Sequence, residues 1–111
     1  MAMIEQYRKF VKELLTRYST GWNSGREVES QLLFDSDHDH YQWLRVGWTE
    51  MDRVYDCVMH FDIKDWKVWL QQNMTDQDPA AELVGMGVPR EDIVLGFQPQ
   101  DARPYTDYGV A

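Results

Sequence analysis

Cysteine occurs once, at Cys57, so the chain cannot close an internal disulfide or assemble a Cys-based zinc knuckle from its own residues. A reducing, cytoplasmic setting is the simplest expectation. Long apolar runs are also missing. The N-terminal MAMIEQYRKF lacks the uninterrupted apolar core of a signal peptide, and charge interrupts every longer stretch, so no membrane span is expected. Positive charge is scarce: 19 acids outweigh 11 bases for a formal charge of −8, and ten acids stand against four bases after Val54. A DNA-binding surface needs a basic stripe that displaces counterions, and none is visible. Arg8, Lys9, Lys12 and Arg17 come nearest, but Glu5 and Glu13 are interleaved with them at helical pairing distances. Direct nucleic-acid binding is therefore not expected.

Aromatic residues, in contrast, are plentiful. Five Trp, six Tyr and four Phe in 111 residues remove much apolar area from water per side chain, enough for one compact domain spanning residues 1–111. From Ile4 to about Ser19 the apolar residues Ile4, Tyr7, Phe10, Val11, Leu14, Leu15 and Tyr18 recur every three or four positions. That spacing predicts a long amphipathic helix, stopped at Gly21. Alternation predicts a strand over Arg26 to Asp35, with Leu33 the one apolar residue out of phase. Asp35 to Asp39 is turn chemistry, and an aromatic strand follows from His40 to Trp48. A third strand has Tyr55, Cys57, Met59, Phe61 and Ile63 alternating with Asp56, His60 and Asp62. This phase buries Tyr55 and Cys57 with Met59 and Phe61 against the helix. Lys64-Asp65-Trp66 turns the chain into a fourth strand, Lys67 to about Gln72. Asp78-Pro79 then starts a short helix ending at Gly85 or Gly87, and Pro89 to Asp92 opens a second helical turn leading into Ile93, Val94 and Leu95. The tail to Val110 reads as docked. The sum is an α+β fold: a long N-terminal helix on an antiparallel sheet of about four strands, followed by short C-terminal helices.

Five segments carry a resemblance. CVMHFDIKDWKVWLQ, from Cys57 to Gln71, resembles the XisI family pattern C-V-x-H-x-D-I-K-D followed by Lys, a hydrophobic pair with Trp, and Gln. It is flanked in order by IEQYRKFVKELLTRY, VESQLLFDSDHDHYQWLRVGW, ELVGMGVPREDIVLGF and YTDYGVA, each similar to the matching family segment, so the likeness spans essentially the whole chain. Two departures are Trp66, where the family often has Gly, and Gly109, where it often has Ala. The first sets a large ring at a turn position suited to Gly, at some backbone cost and with the ring free to meet a partner. The resemblance implies an XisI-like fold and a controlling factor for excision of the fdxN element, a site-specific DNA rearrangement in heterocyst-forming cyanobacteria. It further implies action beside XisH, a companion with an endonuclease-like fold, while a separate recombinase exchanges strands.

Two clusters have the residue types of chemistry. Asp35, Asp37, His38, Asp39 and His40 are metal-ligand types, but they lack the spacing of a calcium loop, and a solvated turn is expected. His60 and Asp62 share a strand face with Asp56, a conceivable acid–base pair lacking a nucleophile. No phosphate-binding glycine loop is present, and Trp43, Trp48 and Trp69 are assigned to the core or a subunit interface. The expectation is a non-catalytic regulatory protein with no catalytic residue, cofactor or metal, a homo-oligomer with a dimer favoured. It binds a XisH-like companion, with His60, Asp62 and Trp66 as candidate contacts. The rival is a metal-dependent hydrolase or nuclease subunit using Asp35 to His40, or His60 with Asp62.

Overall fold

The computed structural model describes residues 2–22 and 27–110, so the expected strand start at Arg26 lies outside the described residues. Helix α1 runs Ala2–Gly21 and buries Tyr7, Val11, Leu14 and Leu15, the stripe its periodicity marks out. Trp22 follows the helix and meets Trp43 edge to face at 6.0 Å, while the Arg45 guanidinium stands 4.6 Å from its ring centroid.

The sheet has five strands in sequence order: β1 (Val28–Asp35), β2 (His40–Thr49), β3 (Asp52–Lys64), β4 (Lys67–Asn73) and β5 (Ile93–Leu95). The first three pairings are antiparallel, but β5 lies parallel to β4, so the sheet is mixed rather than the four-stranded antiparallel one expected. A parallel partner needs a crossover. Helix α2 (Pro79–Gly85) supplies it, with Asp78 Oδ1 accepting from Ala81 N at 3.1 Å and Pro79 in the first turn. Its end is a Schellman motif: Gly87 takes φ +110, Gly87 N donates to Val84 O and Val88 N to Leu83 O. The expected second C-terminal helix is only a 3-10 turn at Arg90–Asp92, and another such turn spans Gln100–Tyr105. Beyond it the tail docks: Gly109 N donates to Ile93 O at 2.7 Å, in a parallel bridge with Val94.

One face of the sheet packs on α1, with Tyr41, Trp43, Met59, Phe61, Ile63, Val68, Leu70 and Ile93 in the core. A bulge in β3 decides what lies on the other face. Trp43 opposes Met59 but Leu44 opposes Cys57, so Val58 is an extra residue and both Val58 and Met59 are buried. The phase flips below it. Tyr55 and Cys57, expected under α1, stand on the open face, and Tyr55 is 67% exposed. Asp56, expected beside His60, turns to the helix side and pairs with Arg45 at 2.7 Å.

Polar ties from α1 land on three acids in three different segments. Tyr7 Oη donates to Asp92 Oδ2 at 2.7 Å, Arg8 Nε to Asp39 Oδ1 at 2.8 Å, and Arg17 and Tyr18 both reach Glu82. Burial, reinforced by the Asp92 carboxylate, pushes the Tyr7 phenol well above its ordinary range. The Arg8 guanidinium, with help from Tyr41, holds Asp39 below the ordinary carboxylate range.

Candidate functional site

The open face of β1, β2 and β3 carries the candidate site. Register places Asp35 opposite His40, His40 opposite Asp62, and Gln42 opposite His60, so all five share one side. His60 and Asp62 do project together, as their spacing in β3 predicts. The neighbour that sequence separation hid is His40, brought from the next strand.

Asp62 Oδ1 is the centre of the cluster. His40 Nδ1 and His60 Nε2 each stand 2.7 Å from this one oxygen, and Gln71 Nε2 donates to Oδ2 at 3.0 Å. Gln71 is the extra residue of a second bulge, since His60 opposes Gln72 and Phe61 opposes Leu70, and it lies two residues along β4 from Trp69, the partner of Asp62. The Gln42 amide lies 3.4 Å from His60 Nδ1, the ring nitrogen not used by Asp62. Burial is the largest single influence on Asp62 and acts upward, but the imidazole and amide donors outweigh it and hold the carboxyl below its ordinary range. His40 moves the other way, its pKa raised chiefly by the bond to Asp62. The Asp62 and His60 side chains are 15% and 24% exposed and tied to each other, whereas His40 at 56% opens the cluster to solvent. A shallow groove lined by Leu33, Phe34, Asp35, His40, Gln42 and His60 leads to it.

The turn before β2 does something different. Asp35 accepts from the backbone of Asp37 and His38 and from the His38 ring at 2.9 Å, which holds its carboxyl low through the His38 bond first. Asp39 faces Arg8 and Tyr41. The sequence run Asp35 to His40 is therefore split: Asp35 organises the turn, Asp39 ties it to Arg8 of α1, and His40 leaves it for Asp62.

Trp66 sits apart, at the tip of the β3–β4 hairpin beyond the Lys64–Lys67 pair, 67% exposed. Asp65 and Trp66 have φ +55 and +66, a type I′ turn whose second position normally goes to Gly. Among the described residues no ring or cation packs on the indole. The other tryptophans divide: Trp43 is core, Trp69 is buried between Lys64 and Arg103 at 4.2 and 5.1 Å, and Trp48 is 49% exposed.

The open face also presents apolar side chains not singled out as contacts. Leu33 and Tyr55 are 48% and 67% exposed, with Trp48 at the far end of β2 and half-buried Leu44, Val46 and Cys57 between. Leu33 announced itself by being out of phase in its strand. Tyr55 gave no such signal, because its alternation pointed inward. The Cys57 thiol is held protonated above its ordinary range, by burial first.

Comparison with known proteins matches nearly the whole chain. The family model described as XisI protein covers residues 1–110. A crystal structure of a XisI-like protein from Anabaena variabilis is 59% identical, with 96% of this chain and 97% of that one aligned and a TM-score of 0.92. The crystal structure of the fdxN element excision controlling factor XisI, also from Anabaena variabilis, is 29% identical over 98% and 99% of the two chains, with a TM-score of 0.88. A search of curated proteins found no significant match.

Proposed function

Since this chain belongs to the XisI family, we propose that it is a non-catalytic controlling factor for excision of the fdxN element, acting by binding other proteins. The observation that carries this reading is the open sheet face. Leu33, Trp48 and Tyr55 are exposed there on a three-strand platform, while the opposite face is spent on α1. Patches of exposed apolar residues rimmed by polar ones mark sites of protein association. The occupant is a XisH-like companion. An acidic chain of charge −8 set against a nuclease-like partner would compete with the partner's DNA phosphates and so gate the excision machinery. The chain itself is proposed to be a dimer.

Co-expression with the companion and affinity capture test the reading, with Leu33→Asp/Tyr55→Asp as the interface variant and Glu13→Gln on the solvent side of α1 as control. The wild type and the control should retain the companion and the double variant should lose it with an unchanged circular dichroism spectrum. Capture unaffected by the double variant, or no complex at micromolar concentrations, would remove the open face from the mechanism. Light scattering of the chain alone reads the dimer.

A further inference from the structure

Two strands deliver three metal-ligating groups to one point on the open face. We infer that His40, His60 and Asp62 form a binding site for a divalent transition-metal ion of the zinc(II) class, with His40 Nδ1, His60 Nε2 and Asp62 Oδ1 as ligands. The three atoms lie within 4.8 Å of one another, and the carboxylate oxygen is 2.7 Å from each nitrogen. Metal bonds of about 2.0–2.2 Å set neighbouring ligands roughly 3 Å apart, so small rotamer adjustments admit an ion where the shared hydrogen bonds now converge. Two imidazoles and one carboxylate suit borderline cations and leave coordination positions open.

The surroundings resemble the outer shell of such sites. Gln71 fixes the second carboxylate oxygen, and Gln42 addresses the ring nitrogen of His60 that would not bind the ion. His60 Nε2–H presently donates to Asp62. On metal entry that proton transfers through solvent to Nδ1, and the Gln42 amide rotates to accept it through Oε1. His40 undergoes the same tautomer exchange, its Nε2 taking the proton. The scaffold is the end of the β2–β3 ladder, where His40, the first residue of β2, opposes Asp62 in register. The groove past Leu33 and Phe34 provides entry, and the Asp35 carboxylate beside His40 adds negative potential.

The test is calorimetric titration of the metal-free full chain with Zn2+, and with Co2+ followed by visible absorption. One ion per chain should bind, with Co2+ developing ligand-field bands. Asp62→Asn, His60→Gln and His40→Gln should each weaken binding at least about tenfold, the scale seen for supporting residues alone. His38→Gln, in the neighbouring turn, should leave it unchanged. Circular dichroism confirms folding of each variant, and His40→Gln, at the exposed start of β2, keeps the experiment decisive if the half-buried positions unfold. Absence of binding to Zn2+ and Co2+ at millimolar concentration overturns the assignment. So does affinity that survives His40→Gln or is lost with His38→Gln.

Discussion

Replacing Trp66 by glycine should stabilise this protein, an uncommon direction for the removal of a tryptophan. The hairpin Lys64-Asp65-Trp66-Lys67 needs positive φ at both central residues, and Trp66 holds φ +66. A residue with a Cβ in this region loses about 1–2 kcal/mol. Glycine removes that cost but surrenders about 0.5–1 kcal/mol of backbone entropy on folding. The ring adds little on the other side, since at 67% exposed its coverage is comparable to the roughly 10–40% of area that a denatured chain already buries. The balance centres near 0.7 kcal/mol in favour of Trp66→Gly. For a domain of this size that is a rise in Tm of about 3–6 °C. Thermal unfolding by circular dichroism reads it, with Trp66→Val, β-branched and ill-suited to positive φ, expected to fall below wild type. An unchanged or lower Tm for the glycine variant would show that the indole is held by contacts worth as much as the strain. If Trp66 meets the companion, the same variant also binds it more weakly, separating stability from recognition.

Three further expectations follow from the packing. Tyr7, Tyr18 and Tyr41 are all shifted above the ordinary tyrosine range of about 10.0, burial being the first cause in each, and Tyr41 stands at about 12. The unfolded chain then loses these protons first, so their contribution is complete below pH 10 and declines as pH rises through the folded values; denaturant midpoints should fall above pH 10 with late phenolate absorption, and a flat profile would contradict the burial. A Cβ at Gly47 would lie 1.9 Å from Glu27 O, so Gly47→Ala should cost about 1–3 kcal/mol in urea unfolding, whereas wild-type stability would mean that β1 moves freely from β2. Cys57, on the open face, should react with a maleimide in the native protein at a rate that does not track global unfolding; protection equal to that of the core would return it beneath α1.

The sequence made α1, strands β1 to β4, the β3–β4 hairpin and the α2 cap legible because each rests on local information: a 3.6 period, alternation, a tight turn, and Asp-Pro and Gly at the helix ends. In the sequence, β5 shows only as residues following a helical turn, since three residues carry no period and their parallel pairing depends on a crossover of distant segments. The bulge at Val58 was the costlier miss. Alternation assumes one residue against one, and an extra residue reverses the assignment of Tyr55, Cys57 and Asp56 with no compositional sign. The site was half legible for the same reason: His60 and Asp62 are two apart on one strand, but His40 joins them only through the ladder register, 22 residues away in sequence.

The bridge between Gly109 and Val94 has a consequence for how copies of this chain can meet. It occupies part of the outer side of the three-residue β5, which leaves β1 the longer edge of the sheet. Growth of a fibre by edge pairing needs two open edges per molecule, one to receive and one to offer. With β5 short and bridged at its middle residue, pairing falls to the longer edge: β1 can join β1 of a second copy about a two-fold axis, and the assembly then stops at two. Glu29 and Asp35 along that strand oppose even this first step by bringing like charges together, so edge pairing, where it occurs, is closed rather than propagating.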